Sequence, residues 1–135
     1  MFPLTSSIRL LIIQLTMGFT TVEVSAYNPE KLAECRVVKL LADTGAMYSI
    51  IPRQILDNLG IKPRWRRKFS LANGQRIERD GSHALYRVGE YEGYAPVIFG
   101  EENDKPILGV TALEAMGLQI DPVTQELKPI ELLLL

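Results

Sequence analysis

The sequence predicts an all-β domain, a closed or partly open β-barrel with one or two short helices. Three observations predict it. Val22, Val24 and Ala26 alternate with Thr21, Glu23 and Ser25, the period of a half-buried strand. Turn signals recur between short apolar runs, at Asn28-Pro29-Glu30, Asn73-Gly74 and Pro122-Val123-Thr124, which punctuates many short strands. Helical punctuation occurs only twice, in short segments stopped by Gly60 and Gly117.

The elements follow in order. Thr20 to Ala26 is the first strand of the domain. Arg36 to Ala42 is the second, apolar at nearly every position and so expected to be buried on both faces. An Asp-Thr-Gly turn follows at 43–45, and strand character resumes over Tyr48 to Ile51. Pro52 opens a short helix as a first-turn proline, with Ile55, Leu56 and Leu59 on one face and Gly60 at its end. Phe69 and Leu71 lead into Asn73-Gly74, the strongest two-residue hairpin signal, and Ile77 lies on the returning arm. Asp80-Gly81 reads as another turn, before strands over Ala84 to Val88 and Ala95 to Phe99. Ile107-Leu108-Gly109 is a short buried strand, and Thr111 to Met116 a second short helix. Leu118 to Asp121 and Leu127 to Ile130, joined through a turn, close the domain.

Composition excludes several classes of function. With 15 basic and 16 acidic residues among 135, the net charge is -1, so no long-range field draws in nucleic acid. Arg64-Trp65-Arg66-Arg67-Lys68 is a short basic, aromatic run. It reads as a solvated segment with Trp65 packed on the domain, rather than as a phosphate-binding patch. Cys35 is the only cysteine and His83 the only histidine, which removes a disulfide framework, a cysteine-rich zinc site and histidine-based catalysis. No cofactor or metal is expected. The apolar run Leu10 to Leu15, interrupted by Gln14, is shorter than the roughly 20 residues that cross a bilayer as a helix. Residues 1–16 read as a leader or upstream extension outside the fold, 17–130 as the domain, and 131–135 as an apolar tail. The expected location is cytoplasmic. Export or membrane association is the alternative if residues 1–26 act as a signal, Val24-Ser25-Ala26 being similar to a cleavage site.

The chemistry concentrates at Asp43-Thr44-Gly45. An aspartate before glycine often only makes a turn through its side chain. Here the motif ends a hydrophobic strand, is followed by Ala46 and the apolar pair Ile50-Ile51, and lies about sixty residues before Ile107-Leu108-Gly109. In its matching segments, Leu41 to Ala46, Asn73-Gly74 and Ile107 to Glu114, the chain resembles the retropepsin-like aspartic peptidases. It is more similar to their cellular and prokaryotic single-domain members than to viral ones. Order and spacing match over Met17 to Ile130.

The resemblance implies a homodimer in which each chain gives one Asp43 to a catalytic dyad on the two-fold axis. Thr44 would lock the two turns together across that axis, and Gly45 would let substrate backbone approach. The hairpin from about Lys68 to Tyr86 would fold over a peptide substrate as a flap, with Ala72, Asn73 and Gly74 at its tip. Ala46, Ile50 and Ile107 would contact the substrate, the two isoleucines as walls of side-chain subsites. Viral members carry a glycine-rich flap tip, and pair an acidic residue after the motif with an arginine after the second glycine. This chain has one glycine in the tip, and Met47 and Val110 stand where those charges would be. The implied function is an aspartic endopeptidase acting on peptide or protein substrates. The alternative is a catalytically silent dimer that binds peptides in the same groove.

Overall fold

The computed structural model describes residues 12–16 and 19–131, with side chains described from Thr20 onward. Strands make up 57% of the structure, with few short helices between them, so the domain is all-β. In chain order come β1 (Ile12–Thr16), β2 (Phe19–Asn28), β3 (Lys31–Asp43) and β4 (Ser49–Pro52), then helix α1 (Arg53–Asn58). Next are β5 (Trp65–Ser70), β6 (Arg76–Val88), β7 (Tyr91–Gly100) and β8 (Ile107–Gly109). Helix α2 (Val110–Ala115) and strands β9 (Leu118–Ile120) and β10 (Leu127–Pro129) complete it.

Eight strands form one sheet in the order β1-β2-β3-β8-β4-β7-β6-β5, and a further β2–β6 pairing bends it into a ring. The ring explains the burial pattern. It runs through β2, β3, β8, β4, β7 and β6 and encloses one interior, so these strands each turn one face inward. On β3, Val38, Leu40 and Ala42 are buried whereas Val37 is 61% exposed. Period two, rather than burial on both faces, therefore governs β3. Inward residues from β2, β4, β6, β7 and β8 join α1 and α2 in one hydrophobic core, with Tyr86 and Phe99 its largest members.

Pairing also reaches upstream of Met17. Ile12–Thr16, placed in the leader by the sequence, runs antiparallel to the start of β2. The remaining leader residues, 1–11, and the apolar tail from 132 onward lie outside the described residues.

Two turn expectations differ in the structure. Asp80-Gly81 is no turn; it lies inside β6, which runs unbroken from Arg76 to Val88. There β6 exchanges partners, pairing with β5 up to Gly81 and with β7 from Gly81 onward. Glycine leaves room here for Trp65 of β5, whose ring lies directly over Gly81 in the space a side chain would fill. At the hairpin tip, Gly74 N donates to Leu71 O at 2.9 Å and Leu71 N to Gln75 O at 2.8 Å. This is a three-residue loop, Ala72-Asn73-Gly74, with Gly74 left-handed at φ 84°, a tight turn followed by a bulge.

Both helices end as their glycines predict. Pro52 stands at the N-cap of α1. At its other end Ile61 N donates to Leu56 O and Gly60 N to Asp57 O, with Gly60 at φ 74°. Leu56 and Ile61 are both buried, which completes a Schellman stop with its apolar contact.

Candidate active site

Asp43 is the last residue of β3, where the parallel pairing with β8 sets Leu41, Ala42 and Asp43 beside Ile107, Leu108 and Gly109. The chain then turns tightly. Ala46 N donates to Asp43 O at 3.1 Å, and Gly45 N donates to Asp43 Oδ1 at 2.9 Å. One carboxylate oxygen is thus held by the turn that follows it. A Cβ on Gly45 would come within 3.2 Å of that same oxygen, so a side chain here would press on the carboxylate. Thr44 and Gly45 are exposed, and Asp43 and Ala46 half-buried.

Past the turn the chain is bound to the second motif. Val110 N donates to Ala46 O at 2.8 Å and Thr111 N to Met47 O at 3.1 Å. These are amides of the first turn of α2, which no carbonyl of the helix itself can reach. The backbone after Asp-Thr-Gly therefore caps the helix after Ile107-Leu108-Gly109. Such a fit demands close approach. A Cβ on Gly109 would lie 2.5 Å from the carbonyl carbon of Tyr48 and 2.6 Å from its oxygen. Gly109 N instead donates to Ser49 Oγ at 2.9 Å, in a buried bond. The Ser49 hydroxyl also hydrogen-bonds Tyr86, whose own hydroxyl donates to Pro96 O at 2.8 Å. Burial pushes the Tyr86 phenol well above its ordinary range, which keeps it a neutral donor in the core. Neither Ser49 nor Tyr86 is legible as a site residue in the sequence. Ser49 is one polar group in an apolar strand and Tyr86 one of several along β6, and only the fold shows what they join.

Beside this frame lies a mainly apolar cavity of about 660 Å³. Ala46, Ile50 and Ile107 line it, and Ile50 and Ile107 are paired directly across β4 and β8. Phe69, Leu71 and Ile77, from the two arms of the β5–β6 hairpin, line it from the other side. The sequence marked those three only as hairpin residues. Ala72, Asn73 and Gly74 stand exposed at the tip and do not line the cavity, nor do Asp43, Thr44 and Gly45. The structure thus brings together three of the nine predicted site residues in the cavity and three in the turn beside it. The three of the hairpin tip stand apart from both.

At its polar end the cavity meets an ion pair. Arg79 of β6 donates to both carboxylate oxygens of Asp104, at 2.7 and 2.9 Å. Asp80 accepts from Arg53 at 2.6 Å and from Arg66 at 3.1 Å, and Arg53 also reaches Glu101 at 2.9 Å. Hydrogen bonding from Arg79 and Arg53 holds Asp104 and Asp80, respectively, below the usual carboxylate range. These pairs tie the base of the hairpin to α1 and to the loop before β8. A second cavity of about 700 Å³ lies among these charges, lined by Arg53, Asp57, Glu101 and Asp104, and is less suited to apolar side chains. Among the described residues, no group of three His, Cys, Asp or Glu side chains is placed to hold a metal.

Residues 34–115 match the family described as "gag-polyprotein putative aspartyl protease", a span that contains the turn, the hairpin and both helices. The chain is similar to the protease of Simian Foamy Virus (mac), at 18% identity over 68% of this chain and 91% of that one, with a TM-score of 0.43. It is also similar to a retropepsin-like aspartic protease from Rickettsia conorii, at 23% identity over 79% of this chain and 87% of that one, with a TM-score of 0.44. No curated protein sequence matches the chain.

Proposed function

The chain belongs to the retropepsin-like aspartic proteases, through the gag-polyprotein aspartyl protease family that spans residues 34–115, and from this we propose that it is a homodimeric aspartic endopeptidase. The observation that carries the proposal is the held turn at Asp43. The chain contains Asp-Thr-Gly once, and the chemistry needs two carboxylates, so a second copy must supply the other.

In the dimer, Asp43 faces its mate across the two-fold axis. Two carboxylates about 3 Å apart cannot both ionise at low cost, so the pair shares one proton, as aspartic protease dyads do. The ionised member takes a proton from a bound water as the water oxygen attacks the scissile carbonyl carbon. The protonated member hydrogen-bonds the carbonyl oxygen and stabilises the developing charge. Collapse of the tetrahedral intermediate breaks the C–N bond and delivers a proton to the leaving nitrogen. The Gly45 amide on Oδ1 fixes the carboxylate in place before substrate arrives. Thr44, exposed in the turn, locks the two turns across the axis. The hairpin acts as the flap, holding an extended peptide through backbone hydrogen bonds as an added strand. Ala46, Ile50 and Ile107 receive apolar side chains flanking the cut.

The test is cleavage of an unstructured protein at mildly acidic pH. The unmutated protein should cleave it, and Asp43→Asn should not while remaining dimeric. Peptide binding without turnover by the unmutated protein would overturn the proposal.

A further inference from the structure

The inner face of the hairpin is held to the loop that carries Asp43. Along β5, Trp65, Arg67 and Phe69 alternate onto one face, and all three meet Tyr48. Ring centroids of Tyr48 and Trp65 are 6.3 Å apart, tilted by 49°. Those of Tyr48 and Phe69 are also 6.3 Å apart, at 82°, edge to face. Arg67 Nη1 donates to the Tyr48 hydroxyl at 3.2 Å. The same guanidinium lies 4.4 Å from the centroid of Trp65. The neighbouring arginines behave differently, Arg64 pairing with Glu30 and Arg66 with Glu78 and Asp80. Arg67 alone of the three turns to aromatic rings.

Tyr48 belongs to the other side of the cleft. It follows the Asp-Thr-Gly turn, its backbone is the surface that Gly109 must approach, and it precedes Ser49, which accepts the Gly109 amide. One side chain therefore joins the hairpin to the frame that fixes Asp43. Tyr48 also lines the 660 Å³ cavity, so a peptide side chain entering the cavity meets the ring that holds its roof.

We propose that Tyr48 is a positioning residue, a latch that sets the hairpin above the cleft and is released and re-formed as peptide enters. Rings in edge-to-face contact and a cation over a ring give weak, reversible attractions, which suits a latch that must open. The other arm of the hairpin stays anchored through Arg79 and Asp104, so loss of Tyr48 frees β5 without releasing the whole hairpin. Only the kinetic part of this proposal rests on the peptidase reading.

Trp65 is the only tryptophan in the chain, so its emission reports the latch directly, with no substrate needed. In Tyr48→Ala, Trp65 should emit further to the red and be quenched about twofold more readily by acrylamide. Amide exchange over β5 should rise roughly tenfold while β2 and β3 keep their protection. Tyr48→Phe retains both ring contacts and should restore emission and exchange. On a cleaved peptide, Tyr48→Ala should raise KM about tenfold and leave kcat within about twofold. Unchanged quenching and exchange in Tyr48→Ala overturn the latch, as does faster exchange spread equally over β2 and β3. A protein that cleaves no peptide yet shows the β5 changes retains the latch and loses the peptidase reading instead.

Discussion

At the scale of single residues, the site is made by two glycines and a serine around one aspartate. Gly45 leaves room for the Asp43 carboxylate, and Gly109 leaves room for the backbone of Tyr48. Their requirements differ in severity. A methyl on Gly109 meets backbone that cannot swing aside, so Gly109→Ala should destabilise the domain by about 1–3 kcal/mol, read as a lower urea midpoint. Asp43→Asn should behave in the opposite way. The amide oxygen of asparagine can still accept the Gly45 N–H, so the melting temperature should stay within about 2 °C of the unmutated protein while cleavage disappears. Loss of stability in Asp43→Asn would show that the carboxylate holds the turn through its charge rather than as a hydrogen-bond acceptor.

At the scale of elements, the β5–β6 hairpin is where sequence and structure part most. Asn73-Gly74 correctly marks its tip, but the loop closes over three residues because Gly74 takes the left-handed conformation after a turn that starts at Leu71. Asp80-Gly81 carries the same local signal and is extended strand. Tertiary contacts decide the second case: Trp65 occupies the space over Gly81, and Arg53 and Arg66 draw Asp80 into ion pairs. Gly81→Ala should push the Trp65 ring from its place. The indole is a movable side chain, so the expected cost is about 1–2 kcal/mol, with a red shift in tryptophan emission. Unshifted emission would mean that the strand, not the ring, gives way.

At the scale of the whole molecule, closure of the ring and anchoring of the hairpin govern how the protein responds to pH. Asp104 and Asp80 have lowered carboxyl pKa values because arginines bond their charged forms. A carboxylate with a lowered folded-state pKa stabilises the fold above its unfolded value, near 4, and loses that contribution as pH falls through the lower folded value. The hairpin base should therefore hold at pH 5 and weaken only below about pH 4. Comparing Asp104→Asn with the unmutated protein checks this. The stability gap between them should be widest at pH 6 and close as pH falls below about 4; a gap that stays constant with pH would remove the ion pair as its cause. The dimer belongs to this scale too. Sedimentation should find a dimer at concentrations where the protein cleaves, and an active monomer would refute the shared site.

The sequence by itself determined the all-β class, the positions of most strands, both helix stops and the three motifs that carry the family. These are local signals: period two, turn residues, and glycine where only glycine fits. Tertiary structure decided the rest. It showed that β3 has a single buried face because the sheet curls into a ring, and that Gly109 serves the backbone of Tyr48. Likewise Tyr48, Ser49, Tyr86, Arg79 and Asp104 acquire their roles from contacts between residues 10 to 60 positions apart. A residue's spacing in sequence reports the element it sits in. Which side chain will face it across a cleft depends on how the elements close, and that closure is a property of the packed ring alone.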